Sequence, residues 1–154
     1  MNDLVSRWDS RFLEVAKLFA SFSKDPSTKV GACIADRNNR LASAAFNGLP
    51  QRVEDSDERL HNRKIKYSIT IHAEINAILL ASRPVIGCTI YVWPFPPCAA
   101  CASVIIQSGL ARVVAPSPSS QLAERWGESI ELAIMTLREA GVQVDILDLE
   151  GILR

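Results

Sequence analysis

The sequence has no long apolar run. Its unbroken apolar stretches are as short as Ala77 to Ala81, against the roughly 18 residues that a membrane-spanning helix requires. A bilayer span is excluded on that ground. An excess of positive charge is also missing, since 17 Lys and Arg residues stand against 17 Asp and Glu. Affinity for a nucleic-acid backbone comes largely from Lys and Arg neutralising phosphates, so a nucleic-acid partner is not expected. Cysteines are few: Cys33, Cys88, Cys98 and Cys101, with only the last two close together. This spacing is no disulfide framework. Repeats, low-complexity tracts and linkers are absent as well, and a hydrophobic content of 48% excludes disorder. Arg7, Asp9, Arg11 and Glu14 occupy the stretch where a signal peptide has its apolar centre, so a cytoplasmic location is expected. The chain, 1–154, is expected to be a single domain, long enough to bury a core without disulfide staples.

What is present is periodicity. Phe12, Val15, Ala16, Phe19 and Phe22 repeat at helical spacing, with Ser6 as N-cap and Asp25-Pro26 as a stop, which predicts a helix over 7–23. Residues 30–35 and 41–46 read as a hairpin across the turn Asp36 to Arg40. Residues 47–70 are dense in charge and read as a long polar loop, which in a small domain is usually functional or disordered. From His72 onward an alternation sets in: helix 73–82, strand 88–93, helix 99–108, strand 112–115. A helical stripe of Leu122, Trp126, Ile130, Ile134 and Leu137, ended by Gly141, then leads into strand 142–147. Strands separated by helices join by crossovers, so this part of the sheet is parallel with helices on its faces. The expected architecture is a three-layer α/β/α domain.

His72-Ala73-Glu74 opens one of these helices and Pro97-Cys98-Ala99-Ala100-Cys101 opens the next. Cysteines at i and i+3 share a helix face, and the first-turn amides favour their thiolates. Two thiolates and an imidazole suit zinc. A structural zinc takes four protein ligands, whereas a catalytic one keeps three and leaves a position open to water, whose pKa it lowers to about 7. Three convincing ligands are present: His72, Cys98 and Cys101. Glu74 is the natural proton carrier, provided that His72 sits at the non-helical start of its helix, because residues at i and i+2 on a regular helix do not face each other.

His-x-Glu followed by Pro-Cys-x-x-Cys is the signature of zinc nucleobase deaminases. Beyond that motif, the sequence resembles the deoxycytidylate (dCMP) deaminase family from about Ser23 to Val144. The matching segments are Ser23 to Ala32, Phe46-Asn47-Gly48-Leu49-Pro50, Lys66-Tyr67, His72 to Ile78, and Ile105 to Gly109. The resemblance implies a cytidine-deaminase-like α/β/α sandwich with a mixed five-stranded sheet and one catalytic Zn2+ per chain held by His72, Cys98 and Cys101. Glu74 would move protons, and Asn47 would contact the deoxyribose. It implies hydrolysis of dCMP to dUMP and ammonia, a small-molecule nucleotide as partner, and assembly as a homo-oligomer. Ser27, Lys29 and Tyr67 are further substrate-binding candidates, and Lys29, Arg52, Lys64 and Lys66 are the basic residues flanking the pocket that could neutralise a phosphate. For each, an exposed solubilising charge is the plainer reading.

Two segments depart from the family. Ala45-Phe46 stands where many members have Gly-Tyr or Gly-Trp before Asn-Gly, a segment tied to feedback by dCTP. Ala115 to Ser120 carries no aromatic residue where relatives often place one over the substrate. Phe95 could wall the pocket instead, with core packing as the alternative, and Trp93 and Trp126 read as core or interface. His61 has no cysteine near it, so a second zinc is not expected. Deamination of another nucleotide or base, including guanine or tRNA adenosine, and a non-catalytic zinc-stabilised scaffold are the alternatives.

Overall fold

The first helix, α1 (Arg7–Ala20), starts on a complete capping box: the Ser6 hydroxyl accepts from Asp9 N–H and the Asp9 carboxylate accepts from Ser6 N–H, which satisfies two of the first-turn amides. In the computed structural model, which describes residues 6–148, it ends at Ala20, short of the expected end at residue 23. The chain is drawn off there because the Ser23 hydroxyl donates to Asn47 O at 2.8 Å. The ends of the expected 1–154 domain lie outside the described residues.

Strands β1 (Gly31–Ala35) and β2 (Leu41–Phe46) form the expected hairpin. The sheet is completed by β3 (Thr89–Trp93), β4 (Arg112–Pro116) and β5 (Gln143–Leu147), in the order β2-β1-β3-β4-β5. β1 runs antiparallel to both neighbours, and β3, β4 and β5 are parallel, so the sheet is mixed.

The central strands alternate strictly between two cores. Ala32, Ile34, Ile90, Val92, Val113 and Ala115 pack on one face, while Cys33, Ala35, Tyr91 and Val114 pack on the other. Both faces are covered, which is why these strands read as continuous apolar runs and not as polar alternation. The first face lies under α4 (Ala73–Leu79), α5 (Ala99–Ser108) and α6 (Ser120–Glu139). The second is covered by α1 through Phe12, Leu13 and Ala16. α1 approaches so closely that a Cβ on Gly31 would lie 1.9 Å from Ala16 O and 2.5 Å from Ala20 N.

The polar stretch 47–70 is not a plain loop. It contains α2 (Asp57–His61), capped by Ser56, and α3 (Arg63–Ile69), capped by Asn62. These short helices escape a periodicity reading because neither carries an apolar stripe, and their cap residues are the local signal that remains. The excursion is closed at its base, where Gly48 and Ile71 exchange backbone hydrogen bonds of 3.1 and 2.8 Å. That closure sets α3 against the chain segment leading into His72. α4 stops at Leu79, short of the expected 82, since Ser82 N–H leaves the helix to donate to Ala42 O.

Candidate active site

Two helix starts meet at the site. His72 is the N-cap of α4 and Cys98 the N-cap of α5, both in extended backbone conformation and neither making a side-chain capping bond. N-cap positions favour Ser, Thr, Asp or Asn because their oxygens satisfy first-turn amides. Here the cap side chains are left available for other partners. The α5 start is served from elsewhere, as Ala99 N–H donates to the Ser129 hydroxyl of α6 at 3.0 Å. The extended backbone at His72 also supplies what a His-x-Glu motif needs, an imidazole set off from the helix that carries Glu74.

The three expected ligands come together. His72 Nδ1 lies 3.2 Å from Cys101 Sγ and 3.5 Å from Cys98 Sγ, and the three ligand atoms all lie within 4.8 Å of one another. Nitrogen and sulfur at their usual distances from a tetrahedral zinc stand about 3.5 Å apart, so the spacing fits that ion. Among the described residues this His72, Cys98, Cys101 group has three members. Cys33 packs under α1 and Cys88 in the other core.

The two sulfurs and the imidazole share one negative charge unevenly. The Cys98 thiol is pulled down to about 4, first by its hydrogen bond with Cys101, and then by His72 working against burial. Cys101 is pushed up, because Cys98 holds the negative charge beside it and the group is buried. The hydrogen bond with Cys98 raises His72 against the opposing effect of burial. Glu74 is 4% exposed, and burial raises its carboxyl above the usual range even though a hydrogen bond with Cys101 and the His72 charge pull it down. A carboxyl held in this way exchanges protons nearer neutral pH than an exposed one does.

A cavity opens over this group. Glu74, His72 and Cys98 line one end, and Ser27, Asn47 and Tyr67 of the sequence-derived candidates also line it. Asn47 is buried, and its amide is engaged at both ends: Oδ1 accepts from Val30 N–H at 2.9 Å and Nδ2 donates to Thr28 O at 2.9 Å. Lys29 and Lys64 are exposed and do not line the cavity, and Arg52 lines a separate hollow beside Phe22 and Phe46. Lys66 does line it, but its ammonium is already paired with Asp25 at 3.1 Å.

Among the lining residues that the sequence reading did not assign to the site are Thr70, Arg125 and Trp126. Trp126 reads as core because it sits on the apolar stripe of α6; it packs against the core and stacks on Phe95 with centroids 6.1 Å apart. The two rings form an aromatic wall of the cavity, supplied by α6 and the segment after β3 and not by the loop after β4. Arg125 carries no sequence signal beyond adjacency to Trp126. The Thr70 hydroxyl and Trp126 Nε1 are buried without a hydrogen-bond partner, an arrangement that folded proteins usually avoid.

Residues 6–117 match the family model described as the cytidine and deoxycytidylate deaminase zinc-binding region. An Aliivibrio fischeri protein described as an uncharacterized deaminase in the luxG 3' region is 46% identical over 147 residues, covering 96% of this chain and 98% of that protein. Human deoxycytidylate deaminase is 41% identical over 113 residues, covering 70% of this chain and 63% of that protein, so the match spans less than two thirds of the human enzyme. Among solved structures, the dCMP deaminase of cyanophage S-TIM5 in apo form superposes with a TM-score of 0.71 at 22% identity, covering 90% of this chain and 96% of that one. The same phage enzyme in complex with dCMP and dUMP gives 0.68 over 89% and 94%. These two share the fold.

Proposed function

The chain belongs to the cytidine and deoxycytidylate deaminase family, and from that premise we propose that it hydrolyses the amino group of a cytosine deoxynucleotide, converting dCMP to dUMP and ammonia. The observation that carries this reading is the convergence of His72, Cys98 and Cys101 at two helix starts with the buried Glu74 carboxyl beside them.

His72, Cys98 and Cys101 would hold the zinc. When bound, zinc acidifies water and so supplies the nucleophile at neutral pH. Water adds to the amine-bearing ring carbon, the carbon–nitrogen bond breaks and ammonia leaves. Glu74 takes a proton from the attacking water, passes it to the ring nitrogen, and serves the departing amine in turn. Its burial suits this shuttle, and a scaffold has no use for a buried carboxyl beside a three-ligand metal group. Phe95 and Trp126 offer the base a stacking wall. Asn47 braces the start of β1 against the loop carrying Thr28 and reaches the sugar with what remains of its amide. Ser27 acts through Lys66, whose ammonium lies 3.1 Å from the Ser27 hydroxyl.

Leu79, Leu80 and Ile86 are exposed at the end of α4 and just beyond it, which supports the expected homo-oligomer. No described helix is long and apolar enough to cross a membrane, and the four cysteines are free, in keeping with a reducing, cytoplasmic setting. The test is ammonia release with loss of cytosine absorbance, measured on zinc-loaded protein across dCMP, CMP, dCTP, deoxycytidine, 5-methyl-dCMP and guanine. Turnover of dCMP is expected. Turnover of guanine alone would overturn the substrate assignment.

A further inference from the structure

Of the two basic residues that line the cavity, one is already neutralised. Lys66 is 3% exposed and its ammonium lies 3.1 Å from Asp25 Oδ1 and 3.1 Å from the Ser27 hydroxyl. Arg125 is held differently. Its Nη2 donates to the Tyr67 hydroxyl at 3.0 Å and its Nη1 to Thr28 Oγ1 at 3.4 Å. Among the described residues, no carboxylate lies within ion-pair distance of it. The guanidinium therefore bridges α6, α3 and the loop before β1 on two neutral oxygens, and its charge is uncompensated.

This arrangement fixes the polarity of the rim. A hydroxyl oxygen that accepts from a guanidinium turns its own hydrogen away from it, so Tyr67 and Thr28 are both left as donors. Arg125 retains further N–H groups in its planar fork. Positive charge flanked by two hydroxyl donors complements a group that only accepts, and phosphate is such a group. The two partner residues are themselves held in register. Asp25 Oδ1 accepts from the N–H groups of Ser27 and Thr28 at 2.8 and 3.1 Å while pairing with Lys66, the residue preceding Tyr67.

We infer that Arg125, with the hydroxyls of Tyr67 and Thr28, holds the 5′-phosphate of the nucleotide and is the residue that makes this chain prefer a monophosphate to a nucleoside. The inference rests on the deaminase reading of the same cavity. It assigns the phosphate to a helix residue well beyond the two zinc motifs and gives the Lys66–Asp25 pair a positioning role.

The test compares kcat/KM for dCMP and deoxycytidine in the wild type, Arg125→Ala, Arg125→Lys and Tyr67→Phe. Loss of a forked, charge-assisted contact to phosphate lowers the dCMP preference by about 30- to 100-fold in Arg125→Ala. Arg125→Lys restores part of it, since the charge remains without the fork, and Tyr67→Phe gives a smaller loss. An unchanged preference in Arg125→Ala, or an equal fall on both substrates, would overturn the assignment. Calorimetric titration with dUMP and deoxyuridine separates this from the deaminase reading, because binding does not depend on turnover. If the wild type releases no ammonia, that reading fails on its own. Weaker dUMP binding in Arg125→Ala, with deoxyuridine binding less affected, still supports the phosphate site, and unaltered dUMP binding refutes it.

Discussion

Asp9 and Arg112, 103 residues apart in sequence, face each other in a two-pronged ion pair of 2.8 and 2.9 Å. The carboxylate is 1% exposed. Tyr91 donates its hydroxyl to Asp9 at 2.9 Å, and Arg112 reaches Asp145 at 2.6 Å. The network ties α1 to β3, β4 and β5 on the face away from the cavity. Asp9 also closes the capping box of α1, so one carboxylate serves both the helix start and its docking.

That double role makes acid stability depend on Asp9. Burial alone would raise its carboxyl, but hydrogen bonds from Arg112, Ser6 N–H and Tyr91 more than reverse this and hold it below its ordinary value of 3.8. A depressed carboxyl contributes stability that is complete above the ordinary value and is lost as pH falls through the depressed one. Asp9→Asn is expected to cost about 3 kcal/mol near pH 7, as expected for breaking a buried pair. The gap to wild type should narrow below about pH 4. Denaturant unfolding of both proteins at pH 7, 5 and 3 checks this, and a gap that widens on acidification contradicts it.

Glu74→Gln keeps the shape of the carboxyl and removes its proton transfer. Turnover is expected to fall by about 1000-fold or more, within the range of general acid–base contributions. Zinc content, read by elemental analysis, should be unchanged. Activity near the wild-type level would remove Glu74 from the reaction.

Metal removal should affect stability as well as activity. An ion that binds only the folded chain stabilises it by mass action, and here it would also join the His72 imidazole at the start of α4 to the two sulfurs at the start of α5. A chelator is expected to abolish ammonia release and lower the melting temperature, and added zinc should restore both. Cys98→Ala should fall from about one zinc per chain to a small fraction of that. Full metal content in that variant would exclude Cys98 as a ligand.

Gly31→Ala tests the docking of α1. The added carbon would meet backbone atoms of Ala16 and Ala20, not the ends of flexible side chains, so α1 must move off the sheet. A loss of about 2–3 kcal/mol is expected, typical of overpacking in a core, and thermal unfolding reads it. Gly127→Ala, where an added Cβ meets nothing within 4 Å, is the comparison and should be neutral or slightly stabilising.

The local chemistry was legible before any fold was known. Ser6 and the Phe12 to Phe19 stripe marked α1, and apolar runs bounded by turn residues marked the strands. His72, Glu74, Cys98 and Cys101 announced a metal group because their residue types and spacing are rarely needed for anything else. The charged stretch 47–70 reads as a long polar loop, since the helices of five and seven residues that it holds are too short to show an apolar period. Lys66 reads as an exposed charge or a phosphate partner; its actual partner Asp25 lies 41 residues earlier, and no spacing rule joins the two.

The sequence by itself determined α1, α4, α5, α6 and the five strands, the two-sided burial of the central strands and the candidate metal-ligand set, because helical and strand periods and ligand chemistry act within a few residues. Only the tertiary structure decided which charges are already paired, which ring walls the cavity and which guanidinium remains unbalanced at its rim. Pairing and desolvation depend on what lies within a few ångströms. For Arg125, Tyr67 and Thr28 those neighbours are up to 97 residues away along the chain.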